Sequence, residues 1–188
     1  IPCVAPTVNF THDATFTSGD TPNYSVIYNG KDITESGKST SAPYYYKIWY
    51  MPTFISDPNA KTTSVPTVSG YYEVTVEVFG NGVETARATD ISYVDVLKKV
   101  GTGNVTVADV VYGEKITPVA DSETNGILDV YYRYKRSEDT TYSDYYEAYD
   151  PLTWLPGTYD FQAIFPETEE SEEAVANTTF KVLSKEGD

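Results

Sequence analysis

Residues 70–78 read Gly70-Tyr71-Tyr72-Glu73-Val74-Thr75-Val76-Glu77-Val78, an alternation of side-chain types with no interruption. Three valines and a tyrosine share one face, and the polar side chains share the other face with a second tyrosine. A period of two is typical of a β-strand with one buried face. The stretch therefore predicts a strand whose inner face is formed by Tyr72, Val74, Val76 and Val78.

The same pattern returns 87 residues later as Gly157-Thr158-Tyr159-Asp160-Phe161-Gln162-Ala163-Ile164-Phe165. Its predicted inner face consists of Tyr159, Phe161, Ala163 and Phe165. An apolar segment follows each strand at nearly the same distance, because Val96-Leu97 and Val182-Leu183 are 86 residues apart. This nearly constant offset predicts that the chain encodes two related β domains.

Composition and turn signals favour an all-β chain. The 188 residues include 18 Tyr, 11 Pro and 12 Gly, and no window shows helical spacing of apolar residues over three turns. Turn signals divide each half into about seven short strands, which suits an immunoglobulin-like (Ig-like) sandwich of two packed sheets. We therefore predict two tandem Ig-like β-sandwich domains: residues 1–98 with an N-terminal tail, a linker at 99–103, and residues 104–188.

Several local patterns make more specific predictions. Asn29-Gly30 predicts a hairpin turn, because both residues tolerate positive φ. The hydroxyls of Tyr72 and Tyr159 are expected to bond back to the backbone, as a tyrosine at this place does in Ig-like sandwiches. Trp154, beside Leu155 and Pro156, is expected to fill a core.

Two tyrosine-rich runs predict a further strand in each domain. In the first run, the uncharged face is the candidate for the core: Tyr44, Tyr46, Ile48 and Tyr50. That leaves Tyr45, Lys47 and Trp49 on the more solvent-exposed face. In the second run, the expected inward residues are Leu128, Val130, Tyr132 and Tyr134.

The order of these signals resembles the tandem bacterial Ig-like repeats of surface and secreted proteins. In the second half the resemblance is carried by these residues: Tyr112-Gly113, Thr117-Pro118, Tyr131 to Tyr134, Pro156-Gly157-Thr158-Tyr159, Ala163 and Phe180-Lys181-Val182. In the first half it is carried by Thr21-Pro22, Ser69-Gly70-Tyr71-Tyr72 and Val94 to Val96. The resemblance implies stalks, adhesin repeats or spacers outside the cell, with no shared catalytic residues. The second half lacks cysteine altogether, and the only cysteine of the chain is Cys3, so the disulfide of antibody-type domains is missing.

Charge restricts the partners. The formal net charge is −15, with 6 basic and 10 acidic residues in 1–98 and 7 basic and 18 acidic residues in 99–188. A surface this acidic repels phosphate, so nucleic acid and anionic membranes are not expected partners. No apolar run is long enough to span a membrane. We expect a monomeric segment of a larger chain.

The sequence offers little for catalysis. A Ser-His-Asp or Cys-His arrangement would have to use His12, the only histidine, and no phosphate-cradling glycine motif or His/Cys zinc cluster is present. We therefore expect no enzyme and no cofactor. Calcium is the one metal that the acidic loops suit, at residues 57–59, 121–125 and 167–173, although none of these has a strict calcium-binding spacing.

Exposed aromatic side chains provide the alternative function, a carbohydrate-binding module that stacks sugar rings on Trp and Tyr. The first candidate platform is Trp49 with Tyr45, and the second is a tyrosine cluster that includes Tyr145 and Tyr149. These rings could equally fill the cores or cover a strand face. The expected partners are therefore a polysaccharide or a host or surface protein, and the main expectation is a non-catalytic extracellular spacer or adhesive segment.

Overall fold

The computed structural model describes residue 2, residues 4–143 and residues 154–186. These residues form β-strands with two short 3₁₀ turns, so the chain is all-β as predicted. The chain divides into two compact units, Ile1–Lys98 and Lys99–Asp188. The domain boundaries drawn from the sequence stay predictions beyond this division.

Unit 1 contains seven strands among its described residues: β1 Val8–His12, β2 Thr15–Thr17, β3 Tyr24–Tyr28, β4 Lys31–Asp32, β5 Tyr44–Pro52, β6 Gly70–Gly80 and β7 Ala88–Leu97. The 3₁₀ turns are Ser36–Lys38 and Pro58–Ala60. One sheet has the order β1-β3-β4, and the other has the order β2-β7-β6-β5. The pairing of β2 with β7 is parallel, whereas β5, β6 and β7 are antiparallel.

Unit 2 contains six strands among its described residues: β8 Asn104–Thr106, β9 Val110–Val111, β10 Val119–Asp121, β11 Tyr131–Arg136, β12 Gly157–Phe165 and β13 Ala174–Leu183. A two-stranded sheet pairs β10 with β8, and a four-stranded sheet has the order β11-β12-β13-β9. Here too the short strand β9 runs parallel to the last strand, β13.

The four-stranded sheets of the two units share one register. Gly70 lies opposite Val96 in unit 1, and Gly157 lies opposite Val182 in unit 2. Tyr50 lies opposite Val74, as Tyr134 lies opposite Phe161. The offsets read from the sequence therefore correspond to equivalent positions in space.

Each unit has its own core between its sheets. The predicted inner faces are confirmed, since Tyr72, Val74, Val76 and Val78 are at most 5% exposed and Tyr159, Phe161, Ala163 and Phe165 at most 4%. In unit 1 these residues meet core residues of the facing sheet: Val8, Phe10, Val26 and Tyr28. In unit 2 the predicted core residue Trp154 is 2% exposed and packs among Tyr134, Tyr159 and Phe180.

The predicted hairpin and tyrosine bonds are confirmed. Asn29 and Gly30 have φ of 49° and 79° and connect β3 to β4. The Tyr72 hydroxyl donates to the Val68 carbonyl at 2.7 Å, and the Tyr159 hydroxyl donates to the Leu155 carbonyl at 2.8 Å.

The prediction for Leu128 is wrong. Leu128 is 94% exposed, and β11 begins at Tyr131 rather than at residue 128. Tyr131 already pairs with Ile164, and β12 ends one residue later at Phe165. The partner strand is therefore too short to pair with Leu128. Pro166 follows and has no N–H with which to extend the ladder.

The residues that the sequence suggests as a linker are bonded to unit 2. Lys99 donates its N–H to the Glu170 carbonyl and accepts from the Glu172 N–H, both at 2.9 Å. The Thr102 N–H donates to Thr124 Oγ1 at 2.7 Å. The described part of unit 2 therefore starts its packing before β8.

Candidate functional site

The outer face of the β5-β6-β7 sheet of unit 1 carries an unusual number of aromatic side chains. Because strand side chains alternate, the residues that do not face the core all point to this surface. They include Tyr45 and Trp49 on β5, Tyr71 and Phe79 on β6, and Tyr93 on β7. This surface contains the first of the predicted ligand platforms.

Trp49 is half-buried and already has a cation on its ring. The Lys61 ammonium lies 5.1 Å from the ring centroid, a cation–π distance. The indole Nε1 is buried and has no acceptor among the described residues. A sugar stacked on the Lys61 side of the indole would have to displace this lysine.

Tyr45 is also half-buried, and its ring stacks on Phe79. The two ring centroids are 5.2 Å apart with an interplanar angle of 17°. Trp49 follows Tyr45 by four residues, about 13 Å along β5, and Lys47 lies between them on the same face. The structure therefore places the two predicted platform residues on one surface, each with its own intramolecular partner.

Tyr71 and Tyr93 form a second aromatic feature that the sequence analysis did not single out. Their rings are parallel within 5°, with centroids 5.4 Å apart, and the two residues are 51% and 46% exposed. Ile91, on the same face of β7, is 56% exposed. The only sequence signal for this pair is that both tyrosines lie on the outer face of strands whose opposite face contributes to the core.

The two other predicted ligand-binding residues, Tyr145 and Tyr149, lie outside the described residues. The nearest described member of their cluster is Tyr142, whose ring has the Lys135 ammonium 5.5 Å from its centroid. Lys135 also pairs with Asp160 at 2.9 Å. That ion pair lowers the pKa of Asp160 through the hydrogen bond from Lys135.

Strand β5 has an open edge beside Trp49. Tyr50 donates its N–H to the Thr62 carbonyl at 2.8 Å and accepts from the Thr62 N–H at 3.0 Å. Alternate residues of an antiparallel strand direct both backbone groups to the same side, so Tyr46 and Ile48 face this edge as well. Within the part of the chain that the structure describes, neither of them makes a backbone hydrogen bond there.

A groove of about 480 Å³ lies at this edge. Its walls are formed by residues from both faces of β5 and from three other segments: Tyr24, Lys38, Tyr46, Lys47, Ile48, Trp49, Tyr50, Thr63 and Val65. Two lysines and no acidic residue are among them, in a chain of net charge −15.

Both ring nitrogens of His12, the histidine that the sequence offers for catalysis, are hydrogen-bonded. Its Nε2 is 2.6 Å from Ser92 Oγ, and its Nδ1 donates to the Asp13 carbonyl oxygen at 2.6 Å. The cavity of about 320 Å³ beside His12 does not have Ser92 in its wall. The serine hydroxyl therefore does not open into the space that a substrate at His12 would occupy.

The candidate calcium loops use their oxygen atoms internally. Asp57 Oδ1 accepts from the Asn59 N–H at 2.9 Å, and Asn125 Nδ2 donates to the carbonyls of Pro166 and Glu172 at 2.9 and 2.8 Å. In the described ranges, no three His, Cys, Asp or Glu side chains are close enough together to hold a metal ion. Calcium binding stays a prediction.

Comparison with known proteins gives distant structural neighbours only. No protein-family model and no curated protein matches the chain. Among solved structures, the three N-terminal domains of the bacteriophage RB49 highly immunogenic outer capsid protein align with 96% of this chain and 70% of their own length, at 12% identity and a TM-score of 0.29.

Two further neighbours have similar scores. The N-terminal four Ig domains of Dscam1 isoform 4.44 align with 74% of this chain at 13% identity and a TM-score of 0.33, and this chain spans 38% of their length. Drosophila N-cadherin EC1-3 aligns with 97% of this chain and 68% of its own length at 10% identity and a TM-score of 0.31.

Among the described residues, no helix has the length and apolar character needed to cross a membrane.

Proposed function

We propose that the chain is a non-catalytic tandem of two Ig-like modules that serves as an extracellular spacer or adhesive segment. The observation that carries this proposal is the parallel pairing in both units. In unit 1, Thr15 to Thr17 pair with Asp95 to Leu97, and in unit 2, Val110 and Val111 pair with Val182 and Leu183. Each unit thus fastens an early strand to its last strand.

This pairing has a mechanical consequence. Tension applied to the ends of a unit pulls β2 and β7 in opposite directions along their length. The hydrogen bonds between them are then loaded together, in shear, and do not break one after another. The bonds that flank the ladder add to this resistance: Asp95 N–H to the Ala14 carbonyl at 3.0 Å, and Ser18 N–H to the Leu97 carbonyl at 2.8 Å.

Single-molecule pulling in two directions tests the proposal. In a Cys3→Ser background, one sample is pulled through its chain ends, and another through cysteines placed at Ser69 and Lys98. The second pair lies at the open end of the β6–β7 hairpin, where Gly70 faces Val96, so the strands peel apart. We expect unit 1 to resist a clearly higher force in the first direction, and equal forces would contradict a load-bearing role.

Carbohydrate binding is the second candidate, favoured by the exposed, parallel pair of Tyr71 and Tyr93. Offset or parallel aromatic surfaces provide the flat apolar area on which a ring can stack. The platform predicted from the sequence, Trp49 with Tyr45, is the alternative location on the same sheet face. Stacking on the Lys61 side of the indole requires this lysine to leave the ring, from whose centroid its ammonium is 5.1 Å away.

A glycan panel with two variants separates these locations. Trp49→Ala should abolish binding if the indole is the platform, and Tyr93→Ala should abolish it if the tyrosine pair is. Binding of the unchanged chain is read by glycan pull-down, so that buried Trp154 does not complicate the signal. Absence of binding across a broad panel would remove this candidate and leave the spacer role.

A further inference from the structure

We propose that the open edge of β5 binds an extended, acidic peptide strand of a partner protein, which adds to the β2-β7-β6-β5 sheet. The inference is based on the edge of β5, which pairs with the neighbouring chain segment at one residue pair only. Tyr50 and Thr62 exchange two backbone hydrogen bonds, and the ladder goes no further along Ile48 and Tyr46. This site is distinct from the load-bearing strands, so it does not depend on the spacer role.

The backbone geometry at this edge suits strand addition. Tyr46 and Ile48 offer an N–H and a carbonyl each, in line with those that Thr62 already uses. A sheet edge of this kind binds an extended segment through main-chain hydrogen bonds, while the flanking pockets select its side chains. The groove of about 480 Å³ at the edge lies within the range of typical ligand sites.

The side chains at the edge specify an alternating partner. A residue opposite Ile48 would point to the same face as Ile48 and meet apolar surface, to which Val65 contributes from the far wall. A residue opposite Lys47 would point to the outer face and meet the ammonium. The partner sequence that fits therefore alternates β-branched and carboxylate side chains.

The charge distribution indicates the sign of the partner. Of the 6 basic residues in 1–98, Lys38 and Lys47 line the groove, and Lys61 lies over the Trp49 ring at its side. Lys38 already pairs with Glu35 at 3.1 Å, so Lys47 is the groove lysine on which the attraction of an acidic strand mainly depends. Lysine on an edge strand also opposes pairing with the same edge of a second copy, because like charges are brought together. The edge is therefore biased against self-association and toward an acidic strand.

Fluorescence polarisation with a labelled peptide of alternating Glu and Val tests the inference. We expect saturable binding to the whole chain that weakens as salt is added, because exposed charges are screened. A peptide with Lys in place of Glu should not bind. A peptide with N-methylated Val amides should bind at least about tenfold more weakly, since each methyl group removes a backbone donor.

Two single substitutions provide the matched comparison. Lys47→Gln should weaken binding roughly three- to tenfold, whereas Lys31→Gln, which changes the net charge equally on exposed β4, should change it by less than about twofold. Amide hydrogen exchange should show protection of Tyr46 and Ile48 when the peptide is bound.

The same experiment has outcomes that overturn the proposal. Equal effects of the Lys47 and Lys31 substitutions would show unspecific attraction, and equal binding of the N-methylated peptide would exclude strand addition. No saturable binding of the unmodified peptide, or a dimer that protects the same amides without peptide, would also contradict it. None of these results alters the outcome of the pulling experiment, so the two proposals fail independently.

Discussion

The two tyrosines that bond back to the backbone share some contacts and differ in others. Each follows a glycine by two residues, with φ of 147° at Gly70 and 150° at Gly157, a region that side chains rarely adopt. The hydroxyl bond four residues back is the same in both units. The neighbouring group differs, because Phe54 packs edge-on against Tyr72, whereas the Arg136 guanidinium lies over the Tyr159 ring.

Removing one of these hydroxyls should reduce stability measurably. Tyr159→Phe deletes the donor to the Leu155 carbonyl and the acceptor for Arg136 Nη1 at 3.2 Å, and keeps the ring. We expect a loss of about 1–2 kcal/mol in the free energy of unfolding, measured by urea denaturation. Tyr93→Phe, in an exposed stacked pair, is the control and should change it by less than about 0.5 kcal/mol. Equal values for the two variants would show that the bond contributes nothing.

At this scale the sequence predicts the buried positions, but it does not predict the surroundings of Trp49. Tyr72, Tyr159 and Trp154 are identified correctly, because their burial follows from local periodicity and flanking residues. The environment of Trp49 depends on Lys61, which reaches the ring only because the chain between them folds back to pair Thr62 with Tyr50. No local pattern contains that information.

The equivalent strands β6 and β12 fill their cores in different ways. Val76 and Val78 in unit 1 correspond to Ala163 and Phe165 in unit 2, and all four side chains are fully buried. A large side chain beside a small one replaces two of intermediate size. Well-packed interiors tolerate such exchanges only when the total volume is kept.

Ala163→Val therefore should be unfavourable although valine is native at the equivalent position. Phe161 and Phe165, both 0% exposed, already occupy the space on either side of Ala163. We expect a destabilisation of about 1–3 kcal/mol from overpacking, measured as a lower free energy of unfolding. Val175→Ile, which adds a methylene group on the exposed face of β13, is the surface control. A neutral or stabilising effect of Ala163→Val would show that the core of unit 2 has free volume.

Strand length decides which elements the sequence predicts. The long strands β6 and β12 are clear because eleven and nine residues contain several periods of alternation. The parallel strands β2 and β9 have three and two residues, too few to show any period. The groove at the β5 edge also escapes prediction, since its walls come from segments far apart in the chain, including Lys38 and Val65.

For the whole molecule, the glycines near residue 100 matter because of close packing. A side chain at Gly101 would collide with the Glu172 carbonyl oxygen, and one at Gly103 would collide with the Phe165 ring. The sequence predicts only that these glycines lie in a linker at residues 99–103. The structure places them where only a residue without Cβ fits against unit 2.

A fragment of residues 99–188 should therefore be more stable than a fragment of residues 104–188. The shorter fragment lacks the two bonds of Lys99 and the contacts of Thr102, which accepts from Ser122 Oγ at 2.6 Å. We expect a difference of about 2–4 kcal/mol in the free energy of unfolding. Equal stability would show that residues 99–103 behave as a free linker.

Alkaline pH should destabilise the folded chain through its buried tyrosines. Burial raises the pKa of Tyr50 to about 12 from an ordinary 10.0, and it also raises the pKa of Tyr46 and Tyr159. Because the folded pKa lies above the unfolded one, this stabilisation is complete below about pH 10 and is lost as the pH rises through about 12.

Urea denaturation at increasing pH, with tyrosinate absorbance as a second signal, measures this effect. Unfolding and ionisation should coincide, and Tyr50→Phe should make the alkaline decline shallower. Ionisation of all tyrosines in a chain that stays folded would contradict the prediction.

The placement of β1 and β7 also determines where unit 1 begins and ends. Phe10 of β1 donates its N–H to Asp90 Oδ2 at 3.1 Å, near the start of β7, whereas the unit leaves β7 at Leu97. Phe10 and Leu97 are therefore separated by about the length of residues 90–97 of this strand, about 23 Å. A circular permutant that starts at Phe10 and ends at Leu97 would need a bridge of roughly seven residues to join these two points.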